Sequence, residues 1–122
     1  DSAAAKLTLI AQIEHQDALP HLDDIFGSGV VDAYIIGPYD LSCSLGIPGN
    51  FESDHFKNAI QKIRNVAQRH GIPGGEHVVE PDLDRIQESI SNGCRLMIYS
   101  VDFRIIEESV SAAVQRLKSP IN

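Results

Sequence analysis

Short apolar runs alternate with amphipathic segments four times along this chain, and that alternation restricts its fold more than any other feature. Lys6–Glu14, Val30–Ile36, Ile72–Val79 and Cys94–Val101 have the length and β-branched content of buried strands. Pro73, Gly74 and Gly75 make the third the weakest of them. Asp17–Phe26 carries Ala18, Leu22, Ile25 and Phe26 at helical spacing, with Pro20 tolerated in a first turn and Gly27-Ser28-Gly29 as a stop. From Ser53 or Asp54 to Arg69 a second helix carries the stripe Phe56, Ala59, Ile60, Ile63, Val66 and Ala67, and His70-Gly71 ends it. Pro81–Ser91 predicts a third helix with Leu83, Ile86 and Ile90 inward, closed by Asn92-Gly93. Phe103–Leu117 predicts a fourth, with Ile106, Val110, Ala113, Val114 and Leu117 on one face. Strands alternating with helices specify a parallel sheet covered by helices.

The strands end in polar groups: Glu14, Asp40, Glu76-His77 and Asp102. In parallel α/β folds those ends share one rim, where ligands bind. The stretch Tyr34-Ile35-Ile36-Gly37-Pro38-Tyr39-Asp40-Leu41-Ser42 is the most informative. Pro38 has no N–H and Gly37 has no side chain, so the ladder stops and backbone can approach a ligand, with Asp40 where strand gives way to loop. Asp40 reads equally as a ligand or as the cap of a turn. The turn-rich stretch Gly46–Asn50 that follows is of the kind that carries function. A (β/α)8 barrel takes about 250 residues. These 122 residues hold four of its βα units, so the chain is a small open sheet or half a barrel.

Composition removes several classes. With 43% hydrophobic and 22% charged residues the chain has the make-up of a globular domain. Its net charge of −7 opposes nucleic acid or an anionic membrane as partner, since phosphates require a basic face. No apolar run is long enough to span a bilayer, and no signal-like segment opens the sequence. Cys43 and Cys94 lack metal-ligand spacing and read as reduced thiols of a cytoplasmic protein. The first residue is Asp1 rather than methionine, consistent with processing or with a fragment.

Ala11-Gln12-Ile13-Glu14 followed by Gly37-Pro38-Tyr39-Asp40-Leu41-Ser42 resembles the HpcH/HpaI aldolase and citrate lyase family, metal-dependent pyruvate aldolases on a TIM barrel. The similarity continues through Leu45-Gly46-Ile47-Pro48-Gly49 and His77-Val78-Val79-Glu80-Pro81-Asp82 to Tyr99-Ser100-Val101-Asp102. It implies an α/β fold, a (βα)4 segment of a TIM (β/α)8 barrel, with residues 1–122 as its C-terminal half. It further implies retro-aldol cleavage of a 4-hydroxy-2-keto acid to pyruvate and an aldehyde.

By the same resemblance Glu14 and Asp40 are the carboxylate ligands of a divalent ion, Mg²⁺ or Mn²⁺ or else Co²⁺. Gly37, Pro38, Tyr39 and Asp40 form the backbone that holds the pyruvate carboxylate, and Gln12 faces the substrate. A metal chelated by the keto acid acts as a Lewis acid, so no Schiff-base lysine is required. The family's acid–base histidine and pyruvate-binding arginine come from the other half of the barrel, and no position here matches either. Glu76 stands where relatives are commonly apolar, Ser100 where they carry glycine, and Tyr39 where they carry a small residue. His77, on the same rim, is a substitute proton carrier or a hydrogen-bonded rim residue. His15, His21, His55 and His70 read as solvated, Cys43 as no nucleophile, Asp102 as a helix cap and Arg104 as a surface ion-pair partner.

Two other readings stay open: a citrate-lyase-like enzyme acting on a coenzyme A thioester, and a non-catalytic half-barrel that binds metal, keto acid or a partner chain. Four βα units leave two open edges, so the chain is expected to form a homo-oligomer or to associate with an N-terminal half.

Overall fold

The structure, a computed structural model, describes residues 7–118. Four strands, β1 (Ile10–Ile13), β2 (Ala33–Ile36), β3 (Gly74–Val78) and β4 (Leu96–Tyr99), form one sheet in the order β1-β2-β3-β4, every pair parallel. A doubly wound sheet reverses its strand order at a switch point. This one does not, which is the arrangement of consecutive barrel strands. Lys6, expected to open the first strand, lies outside the described residues. Leu9 still joins the sheet margin, its N–H donating to Asp32 Oδ2 at 2.8 Å and its carbonyl accepting from Asp32 N–H at 2.9 Å.

The helices are α1 (Leu22–Gly27), α2 (Pro38–Ser44), α3 (Asp54–His70), α4 (Leu83–Ser91) and α5 (Asp102–Lys118). The helix expected over 17–26 is split, with a 3-10 helix at Gln16–His21 preceding α1. Pro20 lies near the end of that short helix, where it supplies no N–H to a continuous α ladder. Ser53 caps α3 through Oγ, accepting from Phe56 N–H at 3.2 Å, and Gly71 ends it in the left-handed region at φ 68°. The helix expected from Pro81 begins at Leu83, with Asp82 as its N-cap accepting from Asp84 and Arg85 N–H.

The core joins β1 and β2 to α1, α2 and α3. Leu22, Ile36, Leu41 and Ile63 are almost fully buried in it, with Phe26, Tyr34, Phe56 and Val66 around them. Truncating any of those four to alanine costs about 2–5 kcal/mol. Gly74 belongs in β3 because the Tyr34 ring occupies the space of a Cβ.

Of the predicted inward stripes, that of α5 is exposed, and in α4 only Ile86 is half-buried. Leu83 is 67% and Ile90 56% accessible, and Ser89 is the residue α4 buries. Glu76 points from β3 to the helix side and accepts a short hydrogen bond from Ser89 Oγ, so α4 docks by that residue. Ile106, Val110, Val114 and Leu117 of α5 are exposed for a topological reason. In a βα unit the helix covers its own strand and the next, and among the described residues β4 has no next strand. No helix among the described residues is long and apolar enough to cross a membrane.

Candidate active site

Strand register sorts the side chains into two faces. Ile13 pairs with Ile36, Ile36 with Glu76 and Glu76 with Met97, a row whose Ile13 and Ile36 lie in the helix-side core. The adjacent row, Gln12, Ile35, Gly75 and Leu96, therefore points to the opposite, helix-free face. One step further along lie Glu14, Gly37, His77 and Ile98, also on that face: Gly37 N–H donates to the Ile13 carbonyl at 3.2 Å, and His77 pairs with Ile98. Polar groups thus sit at the carboxyl ends of the strands, as expected for the mouth of a barrel.

Gln12 Nε2 donates to Glu14 Oε2 at 2.6 Å, which fixes one carboxylate oxygen and leaves the other available. A Cβ added at Gly37 would stand 3.1 Å from Gln12 Nε2, Glu14 Cβ and Glu14 Oε2 alike. Glycine is favoured there by close approach rather than by dihedral angle, since its φ is −90°.

Where a loop was expected, the strand passes directly into α2. Gly37 is the extended N-cap and Pro38 opens the helix, the position at which proline's missing N–H costs nothing. The first helical hydrogen bond runs from Leu41 N–H to Gly37 O at 3.0 Å, so the N–H groups of Tyr39 and Asp40 precede the ladder. Asp40 sits in the first turn but does not cap it, and among the described residues its exposed carboxylate makes no hydrogen bond or ion pair. Ser42 is fully buried: its Oγ donates to Tyr39 O at 2.7 Å and accepts from Gly49 N–H at 2.9 Å, tying the following loop to α2.

His77 Nε2 lies 3.0 Å from the Ser100 carbonyl. Ser100 holds the left-handed conformation at φ 56°, with Oγ donating to Val79 O at 2.9 Å. This places the residue where glycine was expected from the resemblance. Two other histidines are less free than their sequence context implies. His70 Nε2 meets Asp23 Oδ1 at 2.9 Å, which with Arg69 holds the Asp23 carboxyl below the usual range. His15 Nδ1 accepts from Asp17 N–H at 3.3 Å. Asp102, expected to cap α5, is instead its first residue, its Oδ1 accepting from Phe103 N–H at 2.7 Å while the Val101 carbonyl takes the first helical hydrogen bonds, and Arg104 pairs with Glu80 and Glu107.

Whether these residues suit a divalent ion can be judged from the donors. Among the described residues no group of three or more His, Cys, Asp or Glu side chains could enclose a metal. A closed structural site is therefore absent from them. Glu14 and Asp40 are hard oxygen donors, matched to an ion such as Mg²⁺ that takes one or two carboxylates and keeps its remaining positions for water and ligand. The donor set fits an open site of that kind.

The sequence pattern of the HpcH/HpaI aldolase/citrate lyase family matches residues 2–106. The chain belongs to that family. A 5-keto-4-deoxy-D-glucarate aldolase of Escherichia coli O139:H28 is 39% identical over 69 residues, 57% of this chain and 27% of the relative. The solved HpcH/HpaI aldolase from Desulfitobacterium hafniense superposes with a TM-score of 0.83 at 28% identity, over 96% of this chain and 45% of that one. Citrate synthase SbnG gives a TM-score of 0.78 at 28% identity, over 91% and 44%. The chain thus spans less than half the length of these HpcH/HpaI relatives, and their barrels account for its unreversed strand order.

One cluster escaped the sequence reading. Tyr39, Phe51 and Phe56 stack along the rim, Tyr39 edge-on to Phe51 with centroids 5.1 Å apart, and Phe51 on Phe56 at 5.2 Å. They come from α2, a loop and α3, so no periodicity announces them.

Proposed function

We propose that this chain supplies the metal- and keto-acid-binding half of a carbon–carbon lyase that cleaves a 4-hydroxy-2-keto acid into pyruvate and an aldehyde. The observation that carries this reading is Glu14, held by Gln12 at the end of β1 against a side-chain-free Gly37, beside the end of β2 from which α2 carries Asp40. Glu14 and Asp40 would hold the divalent ion, which when bound supplies a Lewis acid to the keto oxygen. Gln12 orients the Glu14 carboxylate. The N–H groups of Tyr39 and Asp40 donate to the substrate carboxylate, and Gly37 and Pro38 keep that backbone open to it.

Cleavage of the C3–C4 bond requires the C4 hydroxyl to lose a proton and C3 to gain one. His77 faces the same side of the sheet as Glu14 and Gly37 and is the group here suited to proton transfer near neutral pH. With Nε2 donating to the Ser100 carbonyl, Nδ1 is left to accept a proton. Activity belongs to the completed barrel, assembled with an N-terminal half or a second copy.

Pyruvate release from a 4-hydroxy-2-keto acid, followed with and without Mn²⁺, tests the reading. Turnover is expected to require the ion. Glu14→Ala and Asp40→Ala are expected to lose both turnover and calorimetric Mn²⁺ binding while remaining folded. Unchanged Mn²⁺ affinity in both variants would overturn the assignment.

A further inference from the structure

Among the described residues, Ser100 alone holds a left-handed backbone without being glycine, at φ 56°. A side chain makes that conformation costly, so it persists only where the surroundings enforce it, and such residues gather at functional sites. Here the enforcing contacts are explicit. Ser100 N–H donates to the Val78 carbonyl at 2.7 Å, and its Oγ donates to the Val79 carbonyl at 2.9 Å. Ser100 is 4% exposed, and at the start of α5 Arg104 pairs with Glu80. The chain leaving β4 is thereby fastened to the chain leaving β3 at Val78, Val79 and Glu80.

The left-handed turn decides what the Ser100 carbonyl can reach. In a continuing strand it would form the next rung of the parallel ladder. Turned out of the ladder, it instead meets His77 Nε2 at 3.0 Å. A carbonyl only accepts, so in the neutral ring Nε2 carries the proton and Nδ1 is bare. His77 stands one strand over from Gly37, in the row that also holds Glu14. Glycine would reach the same dihedral angles without strain, but it would lack the hydroxyl bond that fixes them.

We propose that Ser100 is a positioning residue for His77: its hydroxyl locks the left-handed turn, and the turn aims its carbonyl at Nε2, so that Nδ1 is the nitrogen presented for proton transfer. The hydrogen bond made by one ring nitrogen of a histidine sets the state of the other. The proposal rests on the proton-transfer role given to His77 above and names what fixes the orientation of that ring.

Two substitutions separate hydroxyl from backbone. Ser100→Gly removes the hydroxyl and leaves the turn free of strain, whereas Ser100→Ala removes the hydroxyl and keeps the strain. Nitrogen and proton NMR of the complete protein, with His77→Gln to assign the signal, should show a slowly exchanging Nε2–H on His77 and a bare Nδ1. That resonance should weaken in Ser100→Gly and vanish in Ser100→Ala. Turnover is read as pyruvate release from 4-hydroxy-2-ketobutanoate with Mn²⁺. A fall in kcat of about threefold in Ser100→Gly and about tenfold in Ser100→Ala is expected, the scale of a slightly misplaced catalytic group. KM and calorimetric Mn²⁺ affinity should not change. In a His77→Gln background Ser100→Ala should cost no further activity, because a residue that acts through His77 has nothing left to position. Denaturant midpoints show which variants are folded, and Ser100→Gly decides the matter if Ser100→Ala is not. A His77 resonance unchanged by the substitutions, or an undiminished loss in the His77→Gln background, overturns the proposal. The expected resonances without any turnover by the unsubstituted protein overturn the aldolase reading and leave the placement of His77 by Ser100 standing.

Discussion

The Gln12 side-chain amide donates to the Glu14 carboxylate at 2.6 Å across one turn of the β1 pleat. Residues two apart in a strand share a face, so this contact follows from the alternation of the strand itself. The amide holds one carboxylate oxygen and thereby sets the direction of the other. Outer partners of this sort commonly decide how tightly a metal ligand binds. Gly37 completes the arrangement by leaving the space on the neighbouring strand empty.

Gly37→Ala should therefore damage metal binding more than folding. The new Cβ would lie 3.1 Å from Gln12 Nε2 and Glu14 Oε2, and both side chains must shift by a few tenths of an ångström. Overpacking of this degree costs about 1–3 kcal/mol. Displacement of the Gln12–Glu14 contact should weaken Mn²⁺ binding by about tenfold. Calorimetry and a denaturant midpoint on the same sample separate the two effects, and full-strength Mn²⁺ binding would argue against the role given to Gly37.

On the opposite face Arg64 Nη2 lies 3.5 Å from Glu76 Oε1, with the two side chains 29% and 19% exposed. Ser89 Oγ donates to the same oxygen. Arg64→Met should leave that carboxylate without its cation and lower stability by about 1–3 kcal/mol. Adding Glu76→Leu should recover most of the loss, because an apolar pair replaces a half-buried charged one at little cost. A thermal-melt double-mutant cycle measures this, and additive losses would mean the pair is not coupled.

The four βα units and the strand-end placement of Glu14 were legible in the sequence, because each rests on a local period or a short motif; Glu76, expected on the same rim, lies within β3 and faces the helices. The direct passage from β2 into α2 was obscured by Gly37-Pro38, which reads equally as a loop and as an N-cap followed by a first helical residue. Tyr39, Phe51 and Phe56 meet only through tertiary packing. The stripes of α4 and α5 were correctly read as apolar, but what an apolar stripe lies against depends on elements a local pattern does not specify. Ser89 docks α4 because Glu76 faces the helices, a consequence of register and not of helical period.

The two thiols should differ in reactivity. Cys43 is exposed, whereas Cys94 is buried, and burial together with the nearby Glu76 carboxylate pushes its thiol pKa up. A thiol reagent at pH 8 should modify Cys43 rapidly and Cys94 only on unfolding. In the unfolded chain Cys94 ionises in the ordinary thiol range, about 8.5. Above that pH the unfolded state has lost a proton that the folded state keeps, so stability falls as pH rises. Denaturant midpoints at pH 7 and 9.5 should show this decline reduced in Cys94→Ala, and an unchanged slope would remove Cys94 as its source.

A polypeptide of these 122 residues should not persist as a monomer. Leu7 is 81% and Leu117 86% accessible, and Ile106, Val110 and Val114 continue the exposed stripe of α5. The outer margins of β1 and β4 are unpaired within the described sheet. Unpaired strand edges recruit other chains, and contiguous apolar patches of this kind mark interfaces. Light scattering across a concentration series should reveal association, or a partner half should co-purify when both are expressed. Val110→Lys places a charge in the centre of the stripe and should weaken association by about tenfold, the equivalent of 1.4 kcal/mol. If the α5 stripe is covered by the chain's own packing in solution, the substitution will destabilise the fold and leave the association constant untouched. A compact, cooperatively melting monomer at high concentration would refute the assembly outright.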